Sequence, residues 1–90
     1  MTPEDAVPRF KRSVKFRFDG VRKAWIVLAP EKLFMPDEIG VEILKLVDGA
    51  RSIGGIVDDL TTRFDAPRAT IAADVIAALD DLSLRGAIQL

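Results

Sequence analysis

Residues 37–86, DEIGVEILKLVDGARSIGGIVDDLTTRFDAPRATIAADVIAALDDLSLRG, decide the fold. Their apolar residues recur at three- and four-residue intervals, the spacing of a helix face. Three such stripes follow one another: Ile39, Ile43, Leu44, Leu46 and Val47; then Ile53, Ile56, Val57, Leu60 and Phe64; then Ile71, Val75, Ala78, Leu79 and Leu82. Stop and start signals separate them. Asp37 and Ser52 suit N-caps, whose side-chain oxygens satisfy free helical N–H groups. Gly49 suits the C′ position after the first helix, Pro67 the first turn of the third, and Gly86 its end. Gly54-Gly55 inside the second helix costs about 1 kcal/mol per glycine relative to alanine. Either packing offsets that cost, or another backbone comes close.

Upstream the period changes from helix to strand. Val14-Lys15-Phe16-Arg17-Phe18 alternates apolar with basic residues, as a half-buried strand does. Asp19-Gly20 opens a turn, and Ala24 to Ala29 is an almost wholly apolar second strand that Pro30 stops. Lys32-Leu33-Phe34-Met35 forms a third strand, ended by Pro36. Strands leading into three compact helices predict an α+β domain: a small three-stranded antiparallel sheet followed by three helices, in the shape of a winged helix-turn-helix. Residues 1–8 are polar and proline-bearing and are expected to be a flexible tail; residues 9–90 make the single domain. Ala87 to Leu90 adds a last extended segment.

Composition removes several kinds of chemistry. The chain has no cysteine and no histidine. That leaves no disulfide framework, no thiolate site and no imidazole base. Asp58-Asp59 and Asp80-Asp81 are helix neighbours about 100° apart, a poor acid/base couple. Ser13, Ser52 and Ser83 have no base to activate them, and Trp25 reads as core. No cofactor and no catalytic group is expected. No stretch resembles a signal peptide or a membrane span, so the expectation is a cytoplasmic protein without a membrane partner.

Charge is unevenly placed. From Arg9 to Lys23 there are seven basic residues against one acid, while from Asp37 onward there are five basic residues and ten acids. A helix that reads DNA needs lysine and arginine on its exposed face, because phosphate contacts supply most of the affinity. The third helix has Arg68 and Arg85 against Asp74, Asp80 and Asp81, which turns the reading away from nucleic acid. Ala69, Ala72, Ala73, Ile76 and Ala77 widen its apolar surface beyond one stripe. That surface packs on the sheet, meets a second copy of the chain, or forms one wall of a peptide groove. The third strand would be the other wall. A short strand at a sheet edge offers unpaired N–H and C=O groups to an incoming extended peptide.

Several stretches in this order resemble the PqqD family, the D proteins of pyrroloquinoline quinone (PQQ) biosynthesis. They are Val7-Pro8-Arg9, Val21-Arg22, Val27 to Glu31, Ile43-Leu44, Val47-Asp48-Gly49, Ser52-Ile53, Ile56-Val57 and Asp65-Ala66-Pro67-Arg68. Ile71, Ala73-Asp74-Val75, Leu79, Leu82 and Gly86 complete the pattern. The resemblance implies a winged helix-turn-helix known as the RiPP recognition element, a peptide chaperone rather than an enzyme. Its partners would be a ribosomal precursor peptide and a radical S-adenosylmethionine enzyme that cross-links a glutamate and a tyrosine of that peptide. Carried onto this chain, the peptide would pair with Lys32, Leu33, Phe34 and Met35. It would lie against Ile71, Ala72, Val75, Ile76 and Leu79. Pro36 departs from the family pattern, where a larger apolar residue is usual, and would shorten the pairing edge or leave a smaller pocket. Ile39 and Gly40 stand where a small polar residue and alanine are usual, which makes a weaker start to the first helix. A recognition element of another peptide-modifying pathway and a DNA-binding regulator are the alternatives. The working state is expected to be a monomer, with a homodimer or strand exchange through the apolar third helix and the exposed edge as the alternative.

Overall fold

A computed structural model describes residues 2–90. Its central sheet runs in the order β2 (Lys15–Asp19), β3 (Ala24–Ala29), β4 (Lys32–Phe34), all antiparallel. Helices α1 (Glu38–Leu44), α2 (Ile53–Arg63) and α3 (Arg68–Leu84) follow. Three antiparallel strands and three helices are thus present, and winged helix-turn-helix describes them loosely. A second small sheet pairs β1 (Arg9–Phe10) with β5 (Ile88–Gln89). The terminal extended segment therefore has a partner, which spacing alone did not reveal because each strand is two residues long.

One face of the central sheet meets the helices. Val27 has no exposed surface and joins Ile43, Leu44, Ile53, Ile56, Val57, Val75 and Leu79 in the main core. Ile26, on the opposite face, is also buried, which accounts for the unbroken apolar run of β3. Trp25 is only half-buried, not the core residue expected. It stacks on Phe16 at 4.8 Å and meets the edge of Phe18, in an aromatic row that Phe10 extends. The Lys45 ammonium sits 5.1 Å from its ring centroid.

The caps fall largely where spacing places them. Asp37 accepts from the Gly40 N–H at 2.7 Å, and Ser52 accepts from the Gly55 N–H at 3.1 Å. The first helix ends earlier than expected, at Leu44. Leu46 and Val47 donate to carbonyls three residues back, a tighter turn that still buries Val47. Gly49 is accordingly not the helix C′ residue; it takes a positive φ of 78° in the following loop. There Asp48 accepts from the Ala50 and Arg51 amides.

The N-terminal segment is the larger correction. Composition suggests a loose tail, but residues 2–8 are bound down, and Met1 lies outside the described residues. The Ile53 and Gly54 N–H groups, unpaired within α2, donate to the carbonyls of Ala6 and Glu4 at 2.9 and 2.8 Å. Pro8 is fully buried. The Glu4 carboxylate pairs with Arg68, which also holds Asp58. Gly54 makes the approach possible, since a Cβ there would lie 3.2 Å from a Glu4 carboxylate oxygen and 3.4 Å from its carbonyl oxygen. Of the two expectations for the glycine pair, close backbone approach is what Gly54 shows.

Gly54→Val is expected to lift this segment. Hydrogen exchange should show lost protection at the Ile53 and Gly54 amides, and urea unfolding a loss of about 1–2 kcal/mol. A pH series tests the hairpin. The Asp19 carboxylate accepts from the Arg22 side chain at 2.7 Å and the Val21 amide at 2.9 Å, and these bonds hold its pKa below the ordinary value. A depressed folded pKa gives stability that is complete above the unfolded value and is lost as pH falls through the folded one. Asp19→Asn should therefore cost stability at pH 7, with the difference from the parent shrinking as pH drops below the ordinary aspartate range.

Candidate functional site

Strand β4 lies at the edge of its sheet, with β3 on one side only. The loop Pro30-Glu31 joins the pair Ala29–Lys32, and Leu28–Leu33 and Val27–Phe34 are the next pairs. A two-residue hairpin loop closes on a hydrogen-bonded pair, and bonded and non-bonded pairs then alternate. Lys32 and Phe34 consequently turn their backbone groups to β3. Leu33 turns its N–H and C=O away from the sheet. The ladder ends at Phe34, two residues ahead of Pro36.

Beside that edge a furrow runs along one flank of α3. At the β4 end, Phe34, Met35 and Pro36 face Asp81, Leu82 and Arg85 across a cavity of about 380 Å³. The Arg85 guanidinium spans it, ion-paired to Asp81 at 3.0 Å and 5.8 Å from the Phe34 ring centroid. In the middle, Asp37, Ile39 and Gly40 face Asp74, Ala77 and Ala78. The far end opens between α1, the end of α2 and the start of α3, over Ile39, Phe64, Thr70 and Ile71.

The expected strand residues Lys32, Leu33, Phe34 and Met35 therefore border the furrow or its free edge. The five expected helix residues do not sit together there. Ile71, Ala72, Val75 and Leu79 are buried in the main core, and Leu79 has no exposed surface at all. Ile71 and Val75 reach only the far end. Ile76 is turned roughly 160° from the furrow's midline at 100° per residue. It shares its flank with Asp80, which accepts from the Thr2 hydroxyl. The α3 side that faces β4 carries Asp74, Ala77, Ala78, Asp81, Leu82 and Arg85. Apolar residues surround α3, so their spacing could not select among its faces. The one usable signal was Asp74, Asp81 and Arg85, at seven- and four-residue steps on a single side.

The family model described as Coenzyme PQQ synthesis protein D (PqqD) matches residues 24–88. The chain belongs to the PqqD family. A PqqA binding protein of Rhodopseudomonas palustris (strain HaA2) is 51% identical over 83 residues, covering 92% of this chain and 81% of that one. The solution structure of the PqqD part of Methylobacterium extorquens PqqCD, described as a stand-alone RiPP recognition element, superposes with a TM-score of 0.84. It is 37% identical and covers 100% of this chain and 96% of that one. A lasso peptide synthetase B1 complexed with its leader peptide gives a TM-score of 0.80 at 14% identity, covering 94% of this chain and 100% of that one. That last likeness speaks for the fold alone. Within the PqqD fold, β4 and β2 are the two free edges of the central sheet, and β4 is the one with the furrow beside it. Among the described residues no group of acidic side chains is placed to hold a metal ion. Among the same residues no helix is long and apolar enough to cross a membrane.

The furrow's position as surface, not core, is open to a simple check. Ile39 is 51% exposed and Ile43 is 1% exposed. Ile39→Asp should change the unfolding free energy by no more than about 0.5 kcal/mol, whereas Ile43→Ala should cost about 2–4 kcal/mol.

Proposed function

We propose that this chain is a non-catalytic carrier of the precursor peptide from which PQQ is made. It takes the peptide as an added strand on the outer edge of β4, with side chains entering the furrow beside α3. It then presents the peptide to the radical S-adenosylmethionine enzyme that the family resemblance implies, in the cytoplasm. The observation that carries this reading is the outward N–H and C=O of Leu33 next to a furrow lined by Phe34, Met35, Leu82 and the Asp81–Arg85 ion pair. Main-chain bonds at such an edge supply affinity, and the neighbouring pockets supply selectivity. The relatives named as PqqA binding proteins support the choice of peptide. The wall of the furrow is revised from the buried α3 residues to Ala77, Ala78, Leu82 and Arg85. The charge pattern disfavours nucleic acid, because Arg68 and Arg85 are both held in ion pairs with the chain's own acids.

Proline substitutions separate the edge from the ladder. Leu33→Pro removes an outward donor only, so stability should stay within about 1 kcal/mol of the parent. Phe34→Pro removes a bond to β3 and should cost about 3 kcal/mol. Isothermal titration with the precursor peptide should show binding weakened at least about tenfold by Leu33→Pro. Undiminished affinity in a folded Leu33→Pro chain would refute strand addition. Ala78→Arg should also weaken binding and Ile76→Arg should not.

A further inference from the structure

The furrow is longer than the strand edge can use. The α3 residues that line its three cavities, from Thr70 to Arg85, span about 22 Å at 1.5 Å per residue. Three residues of β4 cover only about 10 Å of it. Ile39 and Asp74 border both its middle and its far end, so the two parts are continuous. At the far end the molecule leaves two large apolar side chains in water on facing elements, Ile39 at 51% and Phe64 at 39% exposure. The cavity between them is about 290 Å³.

The rim has a definite sign. Of the ten acids from Asp37 onward, Glu38, Asp65 and Asp74 alone have no ion-pair or hydrogen-bond partner among the described residues. Asp65 and Asp74 both border this cavity. Glu42, on the same rim, already has Arg63 and Lys45, and these hold its pKa below the ordinary value. Among the described residues no cation pairs with Asp65 or Asp74.

We infer that the α1–α3 end of the furrow is a second subsite for the same peptide, taking a large apolar side chain with a lysine or arginine beside it. The inference rests on the peptide-binding reading above and adds the chemistry of the residues beyond the added strand. The apolar side chain covers Ile39 and Phe64, and the cation meets Asp65 and Asp74. An acidic residue at that place meets two unpaired carboxylates and is rejected.

The test uses the full chain and acetylated twelve-residue probes with a threonine–valine strand core. A Leu-Lys, Leu-Glu or Ser-Lys pair is placed beyond the core, at either end in turn. In low salt the better Leu-Lys probe should bind about fivefold more tightly than its Leu-Glu counterpart. It should also bind more tightly than its Ser-Lys counterpart, since serine leaves Ile39 and Phe64 uncovered. The charge preference should fall to within about twofold in 0.5 M salt, and in the Asp65→Asn/Asp74→Asn chain. Amide shifts should appear at Leu33 and Met35 together with Ile39, Phe64 and Thr70. Shifts confined to the β4 edge, or equal affinity for all probes, would overturn the subsite and leave strand addition standing. Concentration-dependent shifts at Ile39 and Phe64 without any peptide would assign the cavity to a second copy of the chain and overturn it too. Absence of shifts at both places with every probe would remove the peptide reading itself.

Discussion

Val27 is where the three-stranded sheet enters the helical core. Its side chain has no exposed surface, and Phe34 lies directly opposite it on β4. Close packing of this kind leaves little freedom to slide or tilt. A one-residue slip of β4 would move Phe34 to the open face and Leu33 inward, exchanging a half-buried aromatic for a shorter side chain. Burial of one valine therefore sets the register of the edge strand. That register in turn decides which backbone groups look outward. The distance from β4 to α3, and so the furrow, follows from the same contact.

Local pattern was enough for the helices and strands because it is written in adjacent residues. The alternation of β2, the caps Asp37 and Ser52 and the stripe of α2 are all short-range signals. What pattern missed depends on contacts distant in sequence. The tail looked free because its polar residues have no apolar reason to pack. Its attachment uses two carbonyls, which no side-chain pattern records. The β1–β5 pair joins the two ends of the domain in the same way. On α3 the difficulty was different. Alanine and isoleucine on several sides gave the helix no single apolar face, so the residues chosen as groove wall included four that the core had claimed. The strand half of the site was legible because an edge is a property of order in the sheet.

The two halves of the chain treat charge differently. Arginines of the helical half are each tied to an acid: Arg51 and Arg63 to Asp59, Arg68 to Glu4 and Asp58, Arg85 to Asp81. Among the described residues, Arg9, Lys11, Arg12, Lys15, Arg17 and Lys23 have no such partner, and only Arg22 of that stretch is paired. Exposed pairs of this sort contribute little to stability. Their consequence is electrostatic rather than cohesive: helical cations are neutralised locally, while those of the hairpin project their field outward.

The Thr2 hydroxyl on Asp80 gives the molecule a direction of entry. Asp80 sits on the side of α3 that turns away from β4. Polypeptide joined ahead of Thr2 would arrive there, on the opposite bank from the furrow. An attachment on that bank leaves the furrow side of α3 unobstructed.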